Sequence, residues 1–258
     1  MHIVDYFRLL KFRHHITFIS VIVGAFAFAP TPSHSLLASL FIVYLSFNVL
    51  LYGGLYTLND LSDLDSDREH PRKKNRPLPA GRISVPSAYA FALTFILAGL
   101  VIGYVCFGKV ILLIYLAFFL INLFYTRVAK KIPYVELLVN SVTHALRFVL
   151  GIILVAAPIP YFLVGAVFLL AFGTACVRRI LERDSPGWET RRALRHYTSA
   201  RLKMLQVIAL GLIVIISLVD YPLHSAWYAV IIVLYLVLAF GMYISRGLAD
   251  YLKWVYQN

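Results

Sequence analysis

Eight stretches of the chain read as nearly unbroken apolar runs: 16–31, 36–58, 88–107, 109–127, 134–157, 160–177, 203–219 and 226–245. Each approaches the roughly 20 apolar residues that a helix needs to cross the hydrocarbon of a bilayer. Lipid offers no water to backbone polar groups, so runs of this length predict helices that satisfy their own hydrogen bonds. The alternating in–out pattern of a membrane β-barrel is missing from the sequence. The pattern therefore predicts an all-α, multi-pass transmembrane helical bundle of eight helices, forming a single domain over residues 1–258. Short hinges divide some neighbours: Gly108 separates the third run from the fourth, and Pro158 and Pro160 separate the fifth from the sixth.

Composition agrees with that pattern. The chain is 61% hydrophobic and 14% charged, with a mean hydropathy of +0.80. A soluble domain carries about 25% charged residues. The net charge of +12 would suggest nucleic-acid binding in a soluble protein, but here its placement decides. With a cytoplasmic N-terminus, eight crossings put the loops 59–87, 128–133 and 178–202 and the C-terminus on that same side. Together with the N-terminus and the adjoining ends of the runs, those segments hold every Lys and Arg except Lys109 and Arg147. This is the positive-inside distribution, so topology accounts for the charge and no nucleic-acid partner is expected. Cys106 and Cys176 lie in apolar runs without metal-site or CxxC spacing. The opening MHIVDYFRLLKFRHH lacks the apolar core and small-residue cleavage site of a signal peptide. A prokaryotic inner (plasma) membrane is the expected location.

The densest chemistry follows the second run. Asn59, Asp60, Asp63, Asp65, Asp67 and Glu69 crowd into one short stretch. Asn59, Asp63 and Asp67 recur at four-residue steps, which places them on one helix face. Carboxylates so close repel unless a cation neutralises them. A hard divalent ion with oxygen ligands, Mg²⁺ above all, answers that need and commonly also holds substrate phosphates. Arg68, Arg72, Lys73, Lys74 and Arg76 come next, then Pro77-Leu78-Pro79-Ala80-Gly81-Arg82. Metal-binding carboxylates beside guanidinium groups suit a diphosphate. An EF-hand is not matched, because Arg68 stands where its glycine belongs.

These residues resemble the UbiA superfamily of intramembrane prenyltransferases. Asn59-Asp60-Leu-Ser-Asp63-Leu-Asp-Ser-Asp67 matches its NDxxDxxxD signature, and His70-Pro71, Lys73, Arg76-Pro77, Gly81 and Ile83-Ser84 match the stretch behind it. Tyr125 with Lys130-Lys131, and the spacing from Arg147 to Gly151, fit the family's middle helices, so the resemblance spans roughly residues 5–210. It implies that Asn59 and Asp63 bind Mg²⁺, with Asp60 and Asp67 as further or supporting ligands. It implies that Arg68, Lys73 and Arg76 contact the diphosphate, and that an isoprenoid lipid lies in a groove open to the membrane. The family's reaction is departure of diphosphate from an allylic carbon and attack of an acceptor on the resulting cation-like centre.

Two departures from the family pattern stand out. The loop after the sixth run reads Val177-Arg178-Arg179-Ile180-Leu181-Glu182-Arg183-Asp184, continuing through Arg191-Arg192 to Arg195-His196-Tyr197. Glu182 and Asp184 diverge on a helix and copy poorly the second Asp-rich motif that many members carry. The arginine-rich pattern instead resembles the polyprenyl-phosphate phosphoribosyltransferase branch, whose donor is phosphoribosyl diphosphate. The family also has nine transmembrane helices where eight are counted in this chain.

Polar residues inside the runs extend the candidate set. Asn140, His144 and Arg147 form a stripe at i, i+4, i+7, and an ionisable group at membrane depth suggests function. Arg147 is a candidate to reach a substrate phosphate or the carboxylate of Glu136. Asn48, Tyr52 and Tyr56 step towards Asn59, and Asn122 and Tyr125 stand similarly on the fourth run. Lys11, Arg13, His14 and His15 read as a headgroup-level anchor, with Lys11 also a candidate substrate ligand. The candidate catalytic residues are thus Asp63, Arg147, Arg178, Arg179 and Glu182. Substrate binding falls to Lys11, Tyr56, Arg68, Lys73, Arg76, Tyr125, Lys130, Asn140 and His144. Three functions compete: Mg²⁺-dependent prenyl or polyprenyl transfer from a diphosphate donor within the membrane, phosphoribosyl transfer to a polyprenyl phosphate, and, in another class, a transporter or channel. No file of charges crosses the bilayer, which weighs against the last.

Overall fold

The structure, a computed structural model, describes residues 3–29, 31–183, 192–221 and 223–257, and among them the chain is helix and turn with no strand. Among the described residues, seven helical stretches are long and apolar enough to cross a membrane: Ile3–Phe28, His34–Ser62, Val85–Lys131, Val135–Leu154, Tyr161–Arg183, Ser199–Val219 and Ser225–Ile244. The third is twice the usual length. Its helix Val85–Arg127 has 43 residues, about 65 Å if straight, against about 30 Å of hydrocarbon. Gly108 breaks it, with φ 78° and ψ −166°, a conformation in which a side chain is strained. The two arms, 85–107 and 109–127, fold back on each other. A Cβ on Gly103 would lie 2.6 Å from the Tyr115 ring, whereas a straight helix would hold the two about 18 Å apart. The eight segments expected from the sequence are therefore all present, two of them within one stretch.

The chain divides into two compact units, Met1–Val128 with Leu146–Pro158, and Ala129–Ala145 with Ile159–Asn258. In the first, backbone meets backbone. A Cβ on Gly24 would come within 2.2 Å of the Phe148 carbonyl oxygen, and one on Gly151 within 2.1 Å of that of Val21. Small residues allow such approach where lipid tails supply no hydrophobic drive between helices. Phe47, Leu51, Ile111, Tyr115, Phe118 and Leu150 fill the core around this contact. The Tyr115 hydroxyl lies 2.8 Å from Ser46 Oγ, on the π-helical turn Tyr44–Leu51. Leu93, Leu97, Val101 and Val105 form an exposed stripe along the 85–107 arm, as expected of a lipid-facing surface.

In the second unit, Gln206 ties three elements together. Its amide donates to the carbonyls of Gly173 (3.4 Å) and Ala239 (3.2 Å) and accepts from the Tyr243 hydroxyl (3.1 Å). Ala239 stands in the π-helical turn Leu236–Phe240, where the regular ladder of bonds is interrupted and carbonyls need other donors. The Tyr235 hydroxyl donates to the Gln206 carbonyl at 2.7 Å.

Candidate active site

The helix Tyr52–Ser62 stops at Asp63, whose backbone (φ −99°, ψ 2°) leaves helical geometry before Leu64–Glu69 resumes it. Backbone bonds bridge the interruption, from the Asp63 N–H to the Asn59 carbonyl (3.0 Å) and from the Asp67 N–H to that of Asp63 (2.8 Å). Asn59 and Asp63 consequently stay side by side. The Asn59 amide donates to Asp63 Oδ2 at 3.2 Å, and its oxygen accepts from the Thr126 hydroxyl at 3.4 Å.

Asp60 and Asp67 are buried, and basic side chains surround them. Lys11 Nζ lies 2.5 Å from Asp60 Oδ1 and 5.1 Å from the centre of the Tyr56 ring. Lys11 reaches inward from a left-handed backbone (φ 50°) that separates the short helix Ile3–Leu9 from Phe12–Phe18. Lys73 and Arg76 hold Asp67 at 3.3 and 3.2 Å, and Arg76 also lies 3.8 Å from Asp60. The Lys73 and Arg76 side chains remain 40% exposed, so both are open to further ligands. Arg68 stands apart from this group, pairing at 3.3 Å with the fully solvated Asp65.

His70 shapes the basic loop. Its Nδ1 accepts the backbone N–H groups of Arg72 (3.2 Å) and Lys73 (3.4 Å). Burial, and then the positive charge of Lys73, hold its pKa below the ordinary histidine value, which keeps Nδ1 an acceptor.

Could these residues hold the expected ion? Among the described residues no three His, Cys, Asp or Glu side chains converge on one point, and Asp60 and Asp67 are engaged by Lys11, Lys73 and Arg76. The donor set is nevertheless all oxygen, as Mg²⁺ requires. Asn59 and Asp63 are adjacent and half-buried, so they fit as direct ligands, with the buried Asp60 and Asp67 as supporting carboxylates.

Deeper in the same unit, Arg147 is fully buried. Its guanidinium carbon lies 4.4 Å from the centre of the Tyr52 ring, 4.6 Å from Phe118 and 5.9 Å from Phe47, an aromatic cage for a cation. The Tyr56 hydroxyl donates to that of Tyr52 at 2.8 Å. A pairing of Arg147 with Glu136 does not occur. The two are eleven positions apart on the helix Val135–Leu154, about 16 Å along its axis, and Glu136 has other partners.

Those partners form a second cluster, in the second unit. The Arg179 guanidinium faces both Glu136 oxygens, at 2.7 and 2.9 Å, and also pairs with Glu182. Arg178 Nε donates to Glu182 at 2.9 Å. The Tyr197 hydroxyl donates to Glu136 at 2.9 Å and accepts the Tyr134 N–H at 2.9 Å. Burial and the neighbouring Glu136 charge push the Tyr197 pKa upward, so the phenol stays a donor. The network is closed: Glu136 and Arg179 are 0% and 4% exposed, whereas Arg178 is 39% exposed. Thr126 carries a contact that its sequence context gave little reason to weigh. The T-shaped contact of Tyr197 with Tyr134 adds to this cluster.

Other expected residues are placed as follows. Asn140 and His144 are half-buried on Val135–Leu154, within the second unit, while Arg147 on the same helix belongs to the first. Tyr125 is half-buried beside Thr126, and Lys130 is half-buried in the turn Ala129–Lys131. His15 differs from the anchor role expected of it, being buried, with Nδ1 2.8 Å from the Tyr44 hydroxyl and Nε2 3.1 Å from the Leu10 carbonyl. Asp184 and Arg191 lie outside the described residues.

The model of the UbiA prenyltransferase family matches residues 17–253. Decaprenyl-phosphate phosphoribosyltransferase of Corynebacterium glutamicum is 28% identical over 173 residues, 65% of this chain and 52% of that protein. Protoheme IX farnesyltransferase of Christiangramia forsetii is 36% identical over 102 residues, 40% of this chain and 34% of its own length. The matches thus span about half or less of these two relatives' own length. In three dimensions it superposes on a UbiA homolog from Archaeoglobus fulgidus bound to GPP and Mg²⁺. The TM-score is 0.77 at 19% identity, covering 98% of this chain and 95% of the other, and that likeness speaks for the fold.

Proposed function

The chain belongs to the UbiA prenyltransferase family, and from that premise we propose that it is a metal-dependent transferase of the membrane. It moves a prenyl or polyprenyl group from a diphosphate donor to an acceptor. The observation that carries this reading is the half-buried Asn59–Asp63 pair beside the loop that presents Lys73 and Arg76. Mg²⁺ held by Asn59 and Asp63, with Asp60 and Asp67 in support, would neutralise charge on the donor's phosphates.

The chain's own residues supply the rest. Lys73 and Arg76 neutralise Asp67 in the absence of donor. Their exposed N–H groups are the natural ligands for diphosphate oxygens, where charge builds as the carbon–oxygen bond breaks. Lys11 holds Asp60 and caps the Tyr56 ring, which keeps this end of the site ordered. The Arg147 cage of Tyr52 and Phe118 offers π faces and one fixed positive charge below it. Arg178 serves as an anion ligand of the second unit, and Arg179 and Glu182 position it. The placement of Lys and Arg supports cytoplasmic termini and cytoplasmic basic loops.

A second donor has specific support. Both carboxylates of the second cluster, Glu136 and Glu182, are engaged by arginine, which suits additional phosphate better than an additional metal. A relative matched over 173 residues is a phosphoribosyltransferase. Incubation of the purified protein with Mg²⁺ and a labelled allylic diphosphate, or with labelled phosphoribosyl diphosphate and a polyprenyl phosphate, separates the two. Lipid-soluble product from the first supports prenyl transfer, and product from the second alone supports phosphoribosyl transfer. No product from either overturns the transferase reading.

A further inference from the structure

A different pair of arginines in the first unit bears on the membrane itself. Asp5 is buried, and two guanidinium groups converge on it. Arg82 Nε lies 3.2 Å from each of its oxygens, and Arg8 Nη1 is 3.3 Å from Oδ1. One carboxylate between two arginines leaves a net positive charge. The Arg8 and Arg82 side chains are 61% and 37% exposed, so part of their N–H surface faces outward. Arg82 is further fixed by donation to the Asn75 carbonyl at 3.1 Å.

Residues close to this rim in the chain line an apolar groove of about 490 Å³, formed by Tyr6, Ser87, Ala90, Phe91, Thr94 and Phe95. Tyr6 follows Asp5 directly in the chain, and Ser87 comes five residues after Arg82. The Tyr6 and Phe91 ring centres are 5.4 Å apart, and those of Phe91 and Phe95 4.0 Å. From Ser87 to Phe95 the groove follows the helix for about 12 Å. Polarity falls along it, from arginines and serines at the helix start to phenylalanine further in. A glycerophospholipid has that same order of parts, and the positive rim selects an anionic one.

We propose that this face is a binding site for an acidic phospholipid. Its phosphate lies against Arg8 and Arg82, and one acyl chain runs along Phe91 and Phe95. The site is separate from the Asn59–Asp63 pair, and the proposal does not depend on the reaction catalysed. Its test is retention of phosphatidylglycerol against phosphatidylcholine by the full-length protein in detergent, counted by native mass spectrometry. Wild type should retain phosphatidylglycerol about tenfold better. Arg8→Gln, which alters an exposed side chain, should lose most of that preference. Ala90→Trp, which fills the groove from an exposed position, should lose both lipids while melting at the wild-type temperature in detergent alone. Equal retention of the two lipids by wild type overturns the proposal, as does undiminished phosphatidylglycerol retention by Ala90→Trp.

Discussion

The cluster around Asp60 and Asp67 and the cluster around Glu136 are made of the same materials, carboxylates and basic side chains, and are packed in opposite ways. In the first the acids are buried but the cations that serve them are not: Lys73 and Arg76 keep 40% of their side-chain surface. In the second, Glu136 and Arg179 are both enclosed, and a tyrosine takes up a further carboxylate lone pair. An ion pair with one solvated member can exchange partners cheaply, because water compensates the displaced charge. A pair enclosed on both sides cannot, since removing either member strands the other. The first is built to receive a ligand; in the second the enclosed Glu136–Arg179 pair holds helices in register, and Arg178 alone stays open to an anion.

The sharpest way to break this contrast is Asp63→Ala. Turnover should fall about a thousandfold while the thermal melting temperature in detergent stays within a degree or two of wild type. Parallel losses of activity and stability would make Asp63 a strut instead. The converse holds for Glu136→Gln, which leaves Arg179 without its main counter-charge in a buried place. A loss of about 3–5 kcal/mol is expected, read as a fall in melting temperature. Glu136→Met with Arg179→Met should recover much of it. Next in size, Arg76→Gln should raise the KM for donor about tenfold and change stability by less than about 1 kcal/mol.

The smallest effect is acid sensitivity of the basic loop. Because the fold depresses the His70 pKa, its contribution is complete above the ordinary value of about 6.5 and is lost as pH falls through the lower folded value. Protonation removes the acceptor for the Arg72 and Lys73 N–H groups. Donor KM should therefore climb a few-fold on acidification below pH 6.5, and His70→Ala should show the raised KM at neutral pH with a flatter acid limb.

Much of this was legible in the chain before any coordinates. Apolar run length alone located the crossings, and Gly108 marked the bend between two of them. The ends were harder. The helix carrying Asn59 runs to Ser62, beyond the expected 58, since hydropathy falls at the membrane edge while backbone bonding continues. The helix Ile3–Leu9 escaped notice because Asp5 and Arg8 dilute its apolar signal. Within the site, the spacing of Asn59 and Asp63 survived intact, being a local helical relation. The pairings Lys11–Asp60 and Arg179–Glu136 join residues 49 and 43 positions apart, and no local period encodes such distances. Arg147 stands out in the sequence as a charge in an apolar run. Its aromatic surroundings come from other helices and became visible only in three dimensions.

The bend at Gly108 has a consequence for how the protein is made. The arms on either side of it meet through Gly103 and Tyr115, only twelve positions apart, so a ribosome that has released this stretch has already supplied both halves of the contact. A paired entry into the bilayer, two helices at once, is then available during synthesis without waiting for the rest of the polypeptide.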